Sequence, residues 1–246
     1  MRGEHALIPA TILTWGFFLF ITKLSVPHVG VFEFNFVLYT AAAVIFYLAM
    51  LGRSYPQASD SRRSLLYPIA AAGTEVGANI SFLSALRLMP VSIVAPAMST
   101  YVLVTVFLAV MFLRERQTAF RSLGVALAVL GVFLLTMPAT STGAGAIGTL
   151  GIVLLVLTIL LRGAWNFIIK VGISAIGLHR LTKRWLILSA LFSAPPLLFS
   201  SSSFVISNWV LYPILGAGLM VFGSLAYFAA MKRFPLGIVA PAISLG

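Results

Sequence analysis

Five carboxylates serve 246 residues, and one of them, Glu75, lies in the middle of an apolar stretch, Gly73-Thr-Glu-Val-Gly-Ala-Asn79. A charge at the centre of a membrane helix costs about 2.5–3.5 kcal/mol on insertion scales, so it must face a protein interior or a wet cavity. Asn79 follows one helical turn later, on the same face. Together the two side chains can coordinate a proton or an amine. The plainer alternative is a protonated carboxyl that hydrogen-bonds a neighbouring helix and holds the bundle together.

Arg162 is the matching cation, with Trp165 and Asn166 three and four positions on, on the same side of a helix. It can pair with Glu75 or bind a carboxylate or phosphate. The alternative is a residue near a helix end that snorkels to the interface. Trp15, Trp165 and Tyr227 can line a pocket and stack on a bound molecule, although aromatic side chains also form interface belts. Pro96 and Pro241 fall inside apolar segments, where each removes a backbone hydrogen bond and kinks a helix. Ser92 and Ser99 share a face with Pro96. Glu33 and Asn35 open another apolar segment, where a carboxylate in the first turn suits the helix dipole.

There is no cysteine, so no disulfide or thiolate chemistry is available. The histidines, His5, His28 and His179, are scattered, and no metal or cofactor site is expected. No phosphate-binding glycine loop is present, so ATP-driven work by this chain alone is not expected.

Lipid is the solvent that these residues require. The chain is 61% hydrophobic and 9% charged, against about 45–50% and 25% in soluble domains. Apolar segments run over roughly 6–22, 31–51, 65–86, 91–113, 120–137, 146–169, 185–199 and 209–231. Most can cross about 30 Å of hydrocarbon as helices. They lack the two-residue alternation of a barrel. The first has Lys23 where a signal peptide would have a small-residue cleavage site, so it reads as a retained helix. A ninth segment runs from Leu236 to Gly246, about half a bilayer in length.

With the N-terminus in the cytoplasm, Arg2, Arg53, Arg62, Arg63, Arg114, Arg116, Arg121, Lys170, Arg180, Lys183, Arg184, Lys232 and Arg233 lie inside. Only Lys23 and Arg87 lie outside. The net charge of +11 thus follows the positive-inside rule and does not call for nucleic acid. The cell inner membrane is the expected location.

An internal repeat links the halves. Residues 85–99 (ALRLMPVSIVAPAMS) and 230–244 (AMKRFPLGIVAPAIS) share eight of fifteen positions at an offset of 145, including Pro90/Pro235 and Pro96/Pro241. The copies fall at the fourth and ninth segments, an odd offset of five spans, so they run in opposite directions through the membrane. Such inverted repeats underlie alternating access in many carriers. The expected fold is an all-α membrane protein built from an inverted repeat of five-helix units. The first unit is 1–138. The second, 139–246, stops in its fourth helix, with on the order of 40 residues outstanding.

In these features the chain resembles the EamA family of the drug/metabolite transporter superfamily, over nearly its whole length. The resemblance rests on Ala85-Leu-Arg-Leu-Met-Pro90, the following apolar helix, Glu115, and the glycine-spaced helix of Gly124 and Gly131. Trp15-Gly16 with Lys23, and Ala164-Trp165 with Lys170, add to it. An arginine that the family often carries in helix two is absent here, where Glu33-Phe34-Asn35-Phe36 stands. The resemblance implies a secondary carrier, driven by protons or exchange, for a small metabolite such as an amino acid. The alternatives are a lipid flippase or partner-dependent small-multidrug-like subunit, and an integral membrane enzyme. A homodimer is compatible with the sequence.

Overall fold

A segment in lipid can satisfy its backbone polar groups internally only as a helix, unless strands close into a barrel. The computed structural model contains helices and no strands among its described residues, which are 7–25, 27–51, 63–113, 148–200 and 208–234 with the single positions 123, 127, 130 and 239. In chain order the helices are α1 (Leu7–Ser25), α2 (Val31–Ala49), α3 (Arg63–Leu88), α4 (Val91–Met98), α5 (Tyr101–Leu113), α6 (Thr149–Ile176), α7 (Leu178–Ser193) and α8 (Leu211–Arg233). Short 3₁₀ turns cover Pro195–Phe199 and Asn208–Val210. Among the described residues, five spans are long and apolar enough to cross a membrane: Val31–Ala49, Ser64–Leu88, Val91–Leu113, Thr149–Ile176 and Asn208–Arg233. Leu13, Phe17 and Phe20 of α1 and Phe107 and Met111 of α5 point outward, as lipid-facing side chains should.

Three sequence boundaries change. The segment 91–113 is divided at Ser99–Thr100 into α4 and α5. Pro96 lies within α4, and the interruption comes three residues later. There Ser99 Oγ and Thr100 Oγ1 donate back to the carbonyls of Pro96 and Ala97, at 2.6 and 2.7 Å. Such local bonds compete with the helical ladder. α6 runs on through Lys170 to Ile176, beyond the expected end at 169. α7 begins at Leu178, well before Trp185, because its first turns are amphipathic and basic. Pro241, Glu115 and most of segment 120–137 lie outside the described residues.

Gly177 alone separates α6 from α7, with φ +81°. Only glycine adopts that backbone without strain, so it turns the chain back within one residue. The most extensive helix contacts are α3 with α6 and α1 with α8, followed by α2 with α7, α2 with α8, and α3 with α7. Small residues let the backbones close up. A Cβ added at Gly77 would meet Leu161 Cδ1 at 3.1 Å, and one at Gly163 would meet Val104 Cβ at 2.5 Å.

Candidate functional site

The close α3–α6 contact brings Glu75 and Arg162 together at mid-helix depth. Glu75 is the 13th of the 26 residues of α3. Arg162 is the 14th of the 28 residues of α6. At about 1.5 Å per residue each is some 20 Å from either end of its helix. The snorkelling alternative for Arg162 assumed a helix that stops near 169; continuation to Ile176 places this residue at the centre, 8% exposed.

The guanidinium fork spans one turn of α3. Arg162 Nη1 donates to Glu75 Oε2 at 2.6 Å, and Nη2 donates to Asn79 Oδ1 at 3.0 Å. Asn79 Nδ2 donates to the Tyr39 hydroxyl at 2.8 Å, and that hydroxyl donates to Glu75 Oε1 at 3.3 Å. Four side chains therefore close a ring, and all are buried. Both carboxylate oxygens are satisfied, and the carboxylate and guanidinium neutralise each other. A buried pair needs such added bonds to offset its desolvation.

A second polar group adjoins the ring. Asn166 Nδ2 donates to the Arg162 carbonyl at 3.1 Å and to Thr105 Oγ1 at 3.5 Å, while Asn166 Oδ1 accepts from the Tyr227 hydroxyl at 2.5 Å. Thr105 Oγ1 in turn donates to the Tyr101 carbonyl at 3.1 Å. These bonds tie α5, α6 and α8 together.

Aromatic rings cover one side. Arg162 Cζ lies 5.8 Å from the centroid of the Trp165 ring, within cation–π range. Trp165 packs on Trp185, Tyr227 and Phe228 at centroid distances of 5.6, 6.2 and 5.9 Å. The indole nitrogens of Trp165 and Trp185 are buried without a hydrogen-bond partner. An indole N–H is a donor only.

Of the residues singled out in the sequence, Glu75, Asn79, Arg162, Trp165, Asn166 and Tyr227 are thus gathered. Trp15 is placed elsewhere, edge-on to Phe18 at 5.3 Å and against Gly223 of α8. Glu33 is buried and accepts from Ser200 Oγ, a tertiary contact beyond its place in the first turn of α2. Asn35 is buried, with Nδ2 on the Val31 carbonyl at 2.8 Å. Tyr39, Thr105 and Trp185 escaped the sequence reading. A hydroxyl-bearing tyrosine at the midpoint of a membrane helix was the available signal for Tyr39. No group of three or more His, Cys, Asp or Glu placed to hold a metal occurs among the described residues.

A helical bundle in lipid with a charged, hydrogen-bonded centre is a multi-pass membrane protein. Residues 4–137 match the EamA-like transporter family, and the chain belongs to it. Its members are membrane transporters of the drug/metabolite superfamily. A solved structure, known simply as the crystal structure of a protein, superposes with TM-score 0.73 at 18% identity. The match covers 99% of this chain and 86% of that one, and at that identity it speaks for the fold alone. No curated relative matches.

Proposed function

We propose that the chain is a secondary carrier of the inner membrane that moves a small metabolite, such as an amino acid or related solute, by alternating access with proton coupling or exchange. The observation that carries this reading is the closed ring of Tyr39, Glu75, Asn79 and Arg162 at the midpoint of the bundle. A substrate with an ammonium and a carboxylate can replace the internal pair, ammonium on Glu75 and carboxylate on the Arg162 fork. The unpartnered indole donors of Trp165 and Trp185 offer bonds to its remaining acceptors. Without substrate the two charges re-pair, because separating them in a low dielectric is costly. Protonation of Glu75 is a second way to release Arg162, and that is the route by which a proton can couple to transport.

The contact pattern supports two related halves, and the odd offset of their spans in the sequence makes the repeat an inverted one. Under exchange of α1 with α6, α2 with α7 and α3 with α8, the α3–α6 contact becomes α8–α1, and α2–α8 becomes α7–α3. Both members of each exchange are present. The ring joins α2 and α3 of one half to α6 of the other, so rocking of the halves must remake it.

The test is substrate-dependent flux in liposomes reconstituted with the full chain. Saturable uptake or exchange of a labelled amino acid, abolished by Glu75→Gln, is the expected result. Turnover of a substrate without transfer across the bilayer would overturn it in favour of an enzyme. Lipid scrambling without solute flux would favour a flippase.

A further inference from the structure

A groove between α2 and α7, distinct from the buried ring, opens at the end of the bundle that gathers most of the described basic residues. Ala43, Val44, Tyr47 and Leu48 of α2 line it with Lys183 and Ile187 of α7, around a volume of about 240 Å³. That lies below the roughly 300–1,000 Å³ of pockets that enclose a whole small ligand. It suits one stretch of a longer chain whose remainder lies in the bilayer.

The groove is graded in polarity along its length. Tyr47 and Leu48 belong to the last turn of α2, which ends at Ala49. Lys183 is in the second turn of α7, which starts at Leu178. Ala43, Val44 and Ile187 are each one turn further from that end. The cation and the phenol therefore sit near the helix ends, where a membrane interface favours tyrosine, and the apolar walls run toward the middle of the helices.

Lys183 is exposed, and its ammonium lies 5.8 Å over the Tyr47 ring. Glu75 is paired with Arg162, and no described carboxylate neutralises Lys183. Arg180 and Arg184 share its helix end, and Arg184 donates to Ser64 Oγ at 3.3 Å. The mouth of the groove is thus positive, while its interior is apolar.

We propose that this groove seats one anionic phospholipid of the adjacent leaflet, with its phosphate at Lys183 and an acyl chain along Val44 and Ile187. Basic pockets between membrane helices on the positive side are suited to anionic headgroups, and the apolar walls require the chain that a free phosphate lacks.

The test is native mass spectrometry of the full chain, delipidated in detergent and titrated with phosphatidylglycerol or phosphatidylcholine. Wild type should retain phosphatidylglycerol several-fold more strongly than phosphatidylcholine. Lys183→Ala should bring the two near parity, and Lys183→Arg should restore the preference. Val44→Trp, which fills the groove, should lower retention of both lipids. Undiminished phosphatidylglycerol retention by Lys183→Ala would overturn the proposal. So would full displacement by glycerol phosphate alone, which would mark a simple anion site, or unchanged retention by Val44→Trp.

Discussion

Arg162 Nη1 lies 2.6 Å from Glu75 Oε2, although the two residues are 87 positions apart in sequence. Each ends a long side chain at the midpoint of its own helix, and neither has another charged partner among the described residues. The pair is therefore the electrostatic centre of the α3–α6 contact, and its variants should separate stability from transport.

Removing one charge leaves the other buried. Arg162→Met should cost about 3–5 kcal/mol, the usual penalty for breaking a buried pair, read as a lower thermal midpoint in detergent. The double variant Glu75→Gln with Arg162→Met should recover much of that loss and remain inactive in flux. Full recovery of flux by the double variant would mean that the charges serve only to hold the fold.

Tyr39→Phe removes one hydroxyl that accepts from Asn79 and donates to Glu75. A hydrogen bond of this kind contributes about 0.5–1.5 kcal/mol, more where one partner is charged. The variant should fold with a modestly lower midpoint and transport more slowly. An unchanged flux would place Tyr39 outside the working site.

Gly163 marks the close approach of α5 to α6, where an added Cβ would meet Val104 at 2.5 Å and the Tyr101 carbonyl at 3.0 Å. Gly163→Ala should destabilise by about 1–3 kcal/mol through overpacking. Gly218→Ala, with nothing within 4 Å, should be neutral or gain up to about 1 kcal/mol from helix propensity. Equal midpoints for the two variants would contradict this packing.

Because the chain has no cysteine, single cysteines report sidedness directly. Lys23→Cys and Lys183→Cys, both exposed, should react with a membrane-impermeant maleimide from opposite faces of the membrane. The Lys183 variant should react only after permeabilisation if the basic end faces the cytoplasm.

Hydropathy and the cost of a charge in lipid were legible in the sequence. They marked a helical membrane protein and picked out Glu75, Asn79 and Arg162, because few ordinary roles exist for such groups at mid-span. Helical periodicity placed Asn79 with Glu75, and Trp165 and Asn166 with Arg162, since one-turn spacing is local geometry. Tertiary packing decided the rest. It chose Tyr39 over other membrane tyrosines by laying α2 against α3, and it sent Trp15 to Phe18 and Gly223 instead.

The depth of Arg162 shows the reason most plainly. Lys170 read as a loop residue after a helix ending near 169, because an isolated lysine is a poor lipid-facing side chain. In the fold its ammonium reaches the carbonyls of Met231 and Phe234 at the C-terminal end of α8, where a cation is favourable. A partner 61 residues away thus satisfies the ammonium of Lys170 within α6, the helix that has Arg162 at its centre. Local pattern determined which faces of each helix had to be buried; only the packing of helices distant in sequence decided which buried groups met.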